Sequence, residues 1–301
     1  MKKSKPMIIA FLTPALLSFV IMYLYPVIRT IIMSFFKVEN ITTPLSDWSF
    51  AGIRNFINLW QSSMFRTSIF NMFKIWFIGG LIVLSISLLM AVILTSGVRC
   101  KGFFRAAIYL PNVISAIALA TMWTQFVFSQ KYGLIKSICD FFGFENAANL
   151  NWLSSDMKFT SMMIAFCFGS VGYYMLIFLS GIERIPPDLY EAATIDGASK
   201  VNSFFSITVP LLKGVFKTNL TLWSVNTIGF FVWSKMFSPL LSESSTITPL
   251  VYMFDTVFGT KGTTASRDAG AGAALGVTLT LFVLFTFFVL NRLIKDDDLE
   301  F

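Results

Sequence analysis

A carrier that binds and releases a driving proton at membrane depth needs Asp, Glu or His there. This chain of 301 residues has no histidine, and its sixteen Asp and Glu all lie outside the long apolar runs. The nearest is Asp255, in the short stretch LVYMFDTVF at 250–258. That distribution argues strongly against proton coupling. It argues less strongly against sodium coupling, because backbone carbonyls can coordinate sodium. No GxxxxGK[ST] loop is present, so ATP has no such phosphate cradle in this chain. If the protein pumps, the work enters from another chain; otherwise it is a channel or a scaffold. Cys100, Cys139 and Cys167 form no CxxC, and without histidine a Cys/His metal site is excluded. They read as structural bystanders. No metal, no cofactor held by this chain and no nucleic-acid partner is expected.

Carboxylates do cluster in PPDLYEAATIDGASKVNSFFSITVPLL, residues 186 to 212. Pro186-Pro187 stops the preceding helix, since proline lacks a donor and clashes with the turn before it. Pro187 then suits the first turn of a new helix, with Asp188 and Glu191 near its positive end. Asp188 to Ile195 makes about two turns, and Asp196-Gly197 a tight bend that uses the positive φ open to glycine. A second helix is expected from Ser199 to Thr208, interrupted by Pro210. Glu191 and Asp196 would be exposed beside the small Ala192, Ala193 and Ala198. Small residues let another surface approach, and a carboxylate at the rim orients it. These residues describe a docking knob; a solvated connector would have the same composition.

A second constellation sets aromatic platforms beside amides and hydroxyls, groups that together can hold a polar solute with apolar ring faces. Tyr173 and Tyr174 lie in one apolar run, and Trp223, Asn226, Thr227, Phe230 and Trp233 in the next. The spacing of Trp223, Asn226, Thr227 and Phe230 predicts a shared helical face. Asn226 would serve equally as a hydrogen bond between helices. Asn112 is a further polar candidate.

The elements that must carry these residues are membrane spans. Hydrophobic residues make up 55% of the chain and charged residues 13%, against about 25% charged in soluble domains. Six apolar runs approach or exceed the length that crosses ~30 Å of hydrocarbon: 7–36, 68–97, 105–129, 159–181, 216–240 and 270–294. The first is too long for a signal peptide and carries no small-residue cleavage site, so it is expected to remain. The 250–258 stretch is too short to cross and reads as interfacial. The chain is thus expected to be an all-α membrane protein with one transmembrane domain over 1–301.

One set of span ends carries Lys2, Lys3, Lys5, Arg99, Lys101, Arg105, Arg184, Lys200, Lys213, Lys217, Arg292 and Lys295. The opposite set carries Lys37, Arg54, Arg66, Lys131, Lys136, Lys158, Lys261 and Arg267. Twelve against eight places both termini, and the 186–212 hairpin, in the cytoplasm. The net charge of +7 fits anionic lipid there. Arg29, Lys74 and Lys235 lie within a turn or two of span ends; they either line a polar path or snorkel to an interface. Gly272 and Gly276 form a GxxxG that allows close helix approach, within the subunit or against a partner. Asp296-Asp297-Asp298 reads as a solvated tail.

YEAATIDGASKVNSFFSITVPLL resembles the EAA loop of the binding-protein-dependent ABC-importer permeases. The matching residues are Glu191, Ala192 and Ala193, then Gly197, Ile207 and Pro210. YLYPVIRTIIMSF, FAGIRNFINLW, LPNVISAIALATMWTQFVFSQKYGLI and YYMLIFLSGIERIPPDLYEAA agree with the carbohydrate branch, as does the ending DDLEF. Nearly the whole chain is covered, with the core at about 65–295 and the coupling loop at about 182–215. The likeness is to the short, six-span form of the maltose-type or glycerol-phosphate-type first permease. It implies a type I permease fold in the bacterial inner membrane and a cytoplasmic EAA coupling helix containing Glu191, Ala192, Ala193, Asp196, Gly197, Ala198 and Pro210. The expected partners are a second homologous permease, two cytoplasmic ABC ATPase subunits that hold ATP and Mg, and an extracytoplasmic solute-binding protein. The subunit itself would not be an enzyme. Anchored on Glu191, the match places the solute path at Tyr173, Trp223, Asn226, Thr227 and Phe230. The bulk of Trp223 and Phe230 fits a single stacked sugar ring. The rival readings are a sodium-coupled carrier and a passive facilitator.

Overall fold

A computed structural model describes residues 5–259 and 267–294. Lys2, Lys3, Lys261, Lys295 and the acidic tail lie outside the described residues. Among those described, four helices are long and apolar enough to cross a membrane: α1 (Ile9–Met33), α2 (Ser63–Thr95), α6 (Lys158–Ile182) and α11 (Ala269–Leu293). A fifth crossing is available as a pair bent by 96°, α3 (Lys101–Val113) with α4 (Ala116–Val127). The contacts divide the chain into two compact units. One comprises Met1–Arg66 with Tyr252–Leu281, the other Thr67–Val251 with Phe282–Phe301.

In the first unit, α1 is apolar along its length and buries none of its most hydrophobic window. Its hydroxyls close inward, Thr13 donating to the Ile9 carbonyl (2.7 Å) and Thr30 to that of Pro26 (2.8 Å). A π turn at Val20–Leu24 precedes Pro26, and another at Phe204–Thr208 precedes Pro210. Proline removes a helical donor and crowds the preceding turn, and a widened turn accommodates both effects. After α1, β1 (Phe36–Lys37) and β2 (Ser49–Phe50) pair antiparallel. Asn55 donates to the Ser34 and Phe36 carbonyls at 2.9 Å each. Arg29 donates to the Ile41 carbonyl (3.2 Å) and lies over Trp48. The short apolar stretch is the helix α10 (Pro249–Phe258). A Cβ on Gly272 would stand 2.1 Å from the Val257 side chain, so the first glycine of the GxxxG packs on a helix of its own subunit.

The second unit is built around α6, two thirds of whose apolar window is buried. Ser87 of α2 donates to the Val171 carbonyl of α6 (2.8 Å). At Gly172 the backbone of α3 comes so close that a Cβ would lie 2.4 Å from the Ile108 carbonyl oxygen. Gly172→Ala must therefore push α3 and α6 apart. We expect a loss of about 1–3 kcal/mol, read as a lower unfolding temperature in detergent, whereas Gly214→Ala, on the exposed start of a helix, should change little.

Two expected spans are interrupted. The 105–129 run breaks at Ile114, whose backbone is extended, and restarts with Ser115, whose hydroxyl accepts from the Ala118 N–H (3.3 Å). The 216–240 run is helical as α8 (Lys213–Ile228) and α9 (Val232–Phe237), separated by residues 229–231. Thr248 donates to the Phe230 carbonyl that this break frees (2.5 Å). Irregular backbone persists in an apolar setting only when such partners satisfy it. The same strap is held by Asn71, which donates to the Ser244 and Ile247 carbonyls (3.0 Å each). Ser234 donates to the Thr246 carbonyl (2.7 Å), and Lys158 pairs with Glu243 (2.5 Å). Hydropathy alone does not reveal either interruption, because Ile114, Phe230 and Phe231 are as apolar as the runs they interrupt.

Candidate functional site

The 186–212 hairpin projects from the end of α6. Helix α7 (Pro187–Ile195) starts on Pro187, with Asp188 in its first turn. It ends as the composition requires: Gly197 has φ +78°, its N–H donates to the Thr194 carbonyl (3.1 Å), and the Ala198 N–H donates to that of Ala193 (2.8 Å). This left-handed close satisfies carbonyls that a helix end leaves open. Ser199 then caps the next turn, accepting from the Asn202 N–H (3.2 Å). Helical backbone continues from Lys200 through the π turn and Pro210 to Leu211.

Glu191, Ala192, Asp196 and Gly197 are exposed, and Ala193 and Ala198 half-buried. Pro210 is away from this tip, on the returning arm of the hairpin. Three features of the knob have no counterpart in the motif. Ile195 is 85% exposed at its tip, an apolar contact point beside the carboxylates. Tyr190 and Thr208 share a hydrogen bond (2.8 Å) that ties the two arms together. Lys101 pairs with Glu183 (2.5 Å), joining the start of α3 to the end of α6. Ile195 could have been found as an apolar residue among polar ones; the other two are long-range pairings that leave no local signal. A cavity of about 530 Å³ lies behind the knob, lined by Lys101, Glu183, Tyr190 and Thr208 among others.

The five solute-path candidates do not converge on one open surface. Tyr173 and Asn226 are exposed, and Asn226 hydrogen-bonds the Tyr174 side chain. Trp223 is fully buried: its indole N–H donates to the Trp76 carbonyl (2.8 Å), and its ring lies against Gly79 and Gly80. Phe230 is buried edge-on to Phe166, their centroids 4.8 Å apart. Thr227 is buried, with its hydroxyl lacking a hydrogen-bond partner. Trp233 is buried against Phe166, while Asn112 is exposed on α3. Lys74 lies over Phe70 and Phe159, and Lys235 donates to Ser242 (3.0 Å). Both of these bases thus have local partners, as does Arg29.

No family model matches the chain. Curated relatives do. The arabinooligosaccharides transport system permease protein AraP of Halalkalibacterium halodurans is 30% identical over 276 residues, 90% of this chain and 82% of that protein. The trehalose/maltose transport system permease protein MalF of Thermococcus litoralis is 31% identical over 219 residues, 72% of each chain. Among solved structures, a chain of the bacterial alginate ABC transporter in complex with an alginate pentasaccharide-bound periplasmic protein superposes with a TM-score of 0.77. That match has 20% identity and covers 97% of this chain and 95% of the other. The chain belongs to the permease proteins of carbohydrate ABC transporters, and its mostly helical fold is that of an ABC transporter permease.

Proposed function

We propose that this permease forms the translocation path of an ATP-driven, binding-protein-dependent sugar importer and performs no chemistry itself. It would pair with a second homologous permease in a bacterial inner membrane, with both termini cytoplasmic. Two ATPase subunits would hold ATP and Mg, and an extracytoplasmic binding protein would deliver the solute, in the manner of the periplasmic protein that accompanies the alginate transporter. The six crossings would be α1, α2, α3 with α4, α6, α8 with α9, and α11. The observation that carries this reading is the exposed knob on an otherwise apolar chain. Its residues Glu191, Ala192, Ala193, Asp196, Gly197 and Ala198 lie along a capped helix end, tied to the returning arm that carries Pro210 by the Tyr190–Thr208 bond. A cytoplasmic motor gripping that helix would supply the energy that the missing intramembrane carboxylates cannot.

Solute would meet Tyr173 and Asn226, with Trp223, Thr227 and Phe230 behind them as the packed wall that sets the shape of the face. Tyr173→Ala and Asn226→Ala should each raise the half-saturating sugar concentration for uptake about tenfold, the loss of one stacked ring or one polar contact at about 1.4 kcal/mol. Tyr173→Ala should leave stability nearly unchanged, whereas Asn226→Ala also removes the partner of the buried Tyr174 hydroxyl and should cost about 1–3 kcal/mol. The decisive experiment reconstitutes this chain alone and with its co-purified partners. Uphill, ATP-dependent uptake by the complex only is expected; uphill uptake by this chain alone, or uptake driven by a sodium gradient, would overturn the reading.

A further inference from the structure

The segment between α4 and α6 carries an exposed apolar face that the transport reading does not use. Helix α5 (Leu134–Phe141) lies in it. Leu134 is 56%, Ile138 49% and Phe141 84% exposed, and Phe142 and Phe144 continue the patch at 65% and 62%. At about 100° per residue, Leu134, Ile138 and Phe141 fall within roughly 60° of one another. By the same winding, Ile135 and Cys139 lie roughly 100° to one side, and Lys136 and Asp140 roughly 150° to the other. The structure gives each strip its own environment. Ile135 packs on the core of the second unit. Lys136 and Asp140 form an ion pair (3.2 Å). The third strip, Leu134, Ile138 and Phe141, is turned outward.

The helix is held at one end of the spans. Phe128, just beyond α4, stacks on Trp152 (5.6 Å), and Ser161 in the first turn of α6 donates to the Trp152 carbonyl (2.6 Å). These contacts bring the end of α4 and the start of α6 to the same level. Gly133 opens α5 where a Cβ would stand 2.2 Å from the Ser129 carbonyl oxygen, so the helix leaves the span end without slack. A helix lying on a bilayer at the perimeter of a protein needs this division into three: one strip on the protein, one in water, and the apolar strip facing away from the water.

We propose that α5, with Phe142 and Phe144, is an interfacial anchor seated in the headgroup–acyl boundary of the bilayer at the α6 start, whichever leaflet that is. Lipid is the occupant that the geometry selects, because the apolar and ionic strips lie nearly opposite one another, with the core-facing strip between them. A docked protein would require no such alignment with the span end.

The test is depth measurement by spin label in the full chain, reconstituted in phosphatidylethanolamine–phosphatidylglycerol vesicles. Cys100→Ser and Cys139→Ser remove the two accessible thiols, and Cys167 is buried. Labels at Ile138→Cys and Phe141→Cys are compared with labels at Ser137→Cys and Asp140→Cys, all exposed positions. The ratio of collision with oxygen to collision with a water-soluble nickel chelate should be at least about fivefold higher at 138 and 141, as for side chains entering the acyl boundary. Equal ratios at the four positions would overturn the proposal in favour of a solvated loop. Exclusion of both reagents at 141, or immobilisation of that label on addition of the extracytoplasmic binding protein, would overturn it in favour of a protein contact.

Discussion

Gly197→Pro is expected to abolish sugar uptake while leaving the protein in the membrane at normal amounts. Position 197 has φ +78°, which proline cannot adopt, and its N–H closes α7 on the Thr194 carbonyl. Proline fixes φ near −65° and removes that donor, a conflict of about 3 kcal/mol or more in an ordered backbone. The C-terminal close of α7 must open, and with it the orientation of Asp196 and Ala198 changes. Apart from its chain neighbours, nothing lies within 4 Å of where a Cβ on Gly197 would stand, so no packed interior is disturbed. The defect should therefore be confined to coupling. Uptake should fall by two orders of magnitude or more, equivalent to about 2.7 kcal/mol, and the ATPase subunits should no longer co-purify. Gly197→Asn, which tolerates the left-handed region, should retain most activity. Undiminished uptake by Gly197→Pro would exclude this helix as the docking element.

Trp223→Ala should produce the largest stability loss of any single side-chain truncation in the second unit. The indole is fully buried, donates to the Trp76 carbonyl, and contacts Phe166 and Tyr174 at centroid distances of 5.5 and 5.6 Å. Its bulk explains Gly79 and Gly80, where a Cβ would lie 3.1 and 2.6 Å from the ring. Removing a buried Trp costs about 3–5 kcal/mol, and the Trp76 carbonyl also loses its donor. The expected shift is on the order of 10 °C in detergent unfolding, with Tyr173→Ala as the unshifted control. If Trp223→Ala were as stable as the parent yet failed to take up sugar, the ring would be a solute contact, and its assignment to the packed wall would be wrong.

Burial separates what the chain announces from what it conceals. The knob was legible because each of its parts is local: Pro187 suits the first turn of a helix, Gly197 suits the left-handed closing turn, and Ser199 stands at the start of the next helix. The apolar lengths of α1, α2, α6 and α11 were legible because hydropathy adds along a helix. Asn226 and Trp223 share a spacing that predicts one face, yet one is exposed and the other sealed against Gly79 and Gly80. A helical stripe is wide enough to span the boundary between core and surface, and spacing does not say where that boundary falls. The break at residues 229–231 was equally hidden, since its stability depends on Thr248, eighteen residues away from the carbonyl it satisfies.

By itself the sequence determined a helical membrane protein carrying a capped polar helix at the end of one span. Those properties come from composition and from contacts a few residues apart. Only the tertiary structure decided that Trp223, Thr227 and Phe230 are buried and Tyr173 and Asn226 exposed, that Gly272 packs on its own subunit, and that α5 has three environments. Each of those outcomes is set by which backbone stands opposite a side chain, and that neighbour is contributed from far along the chain.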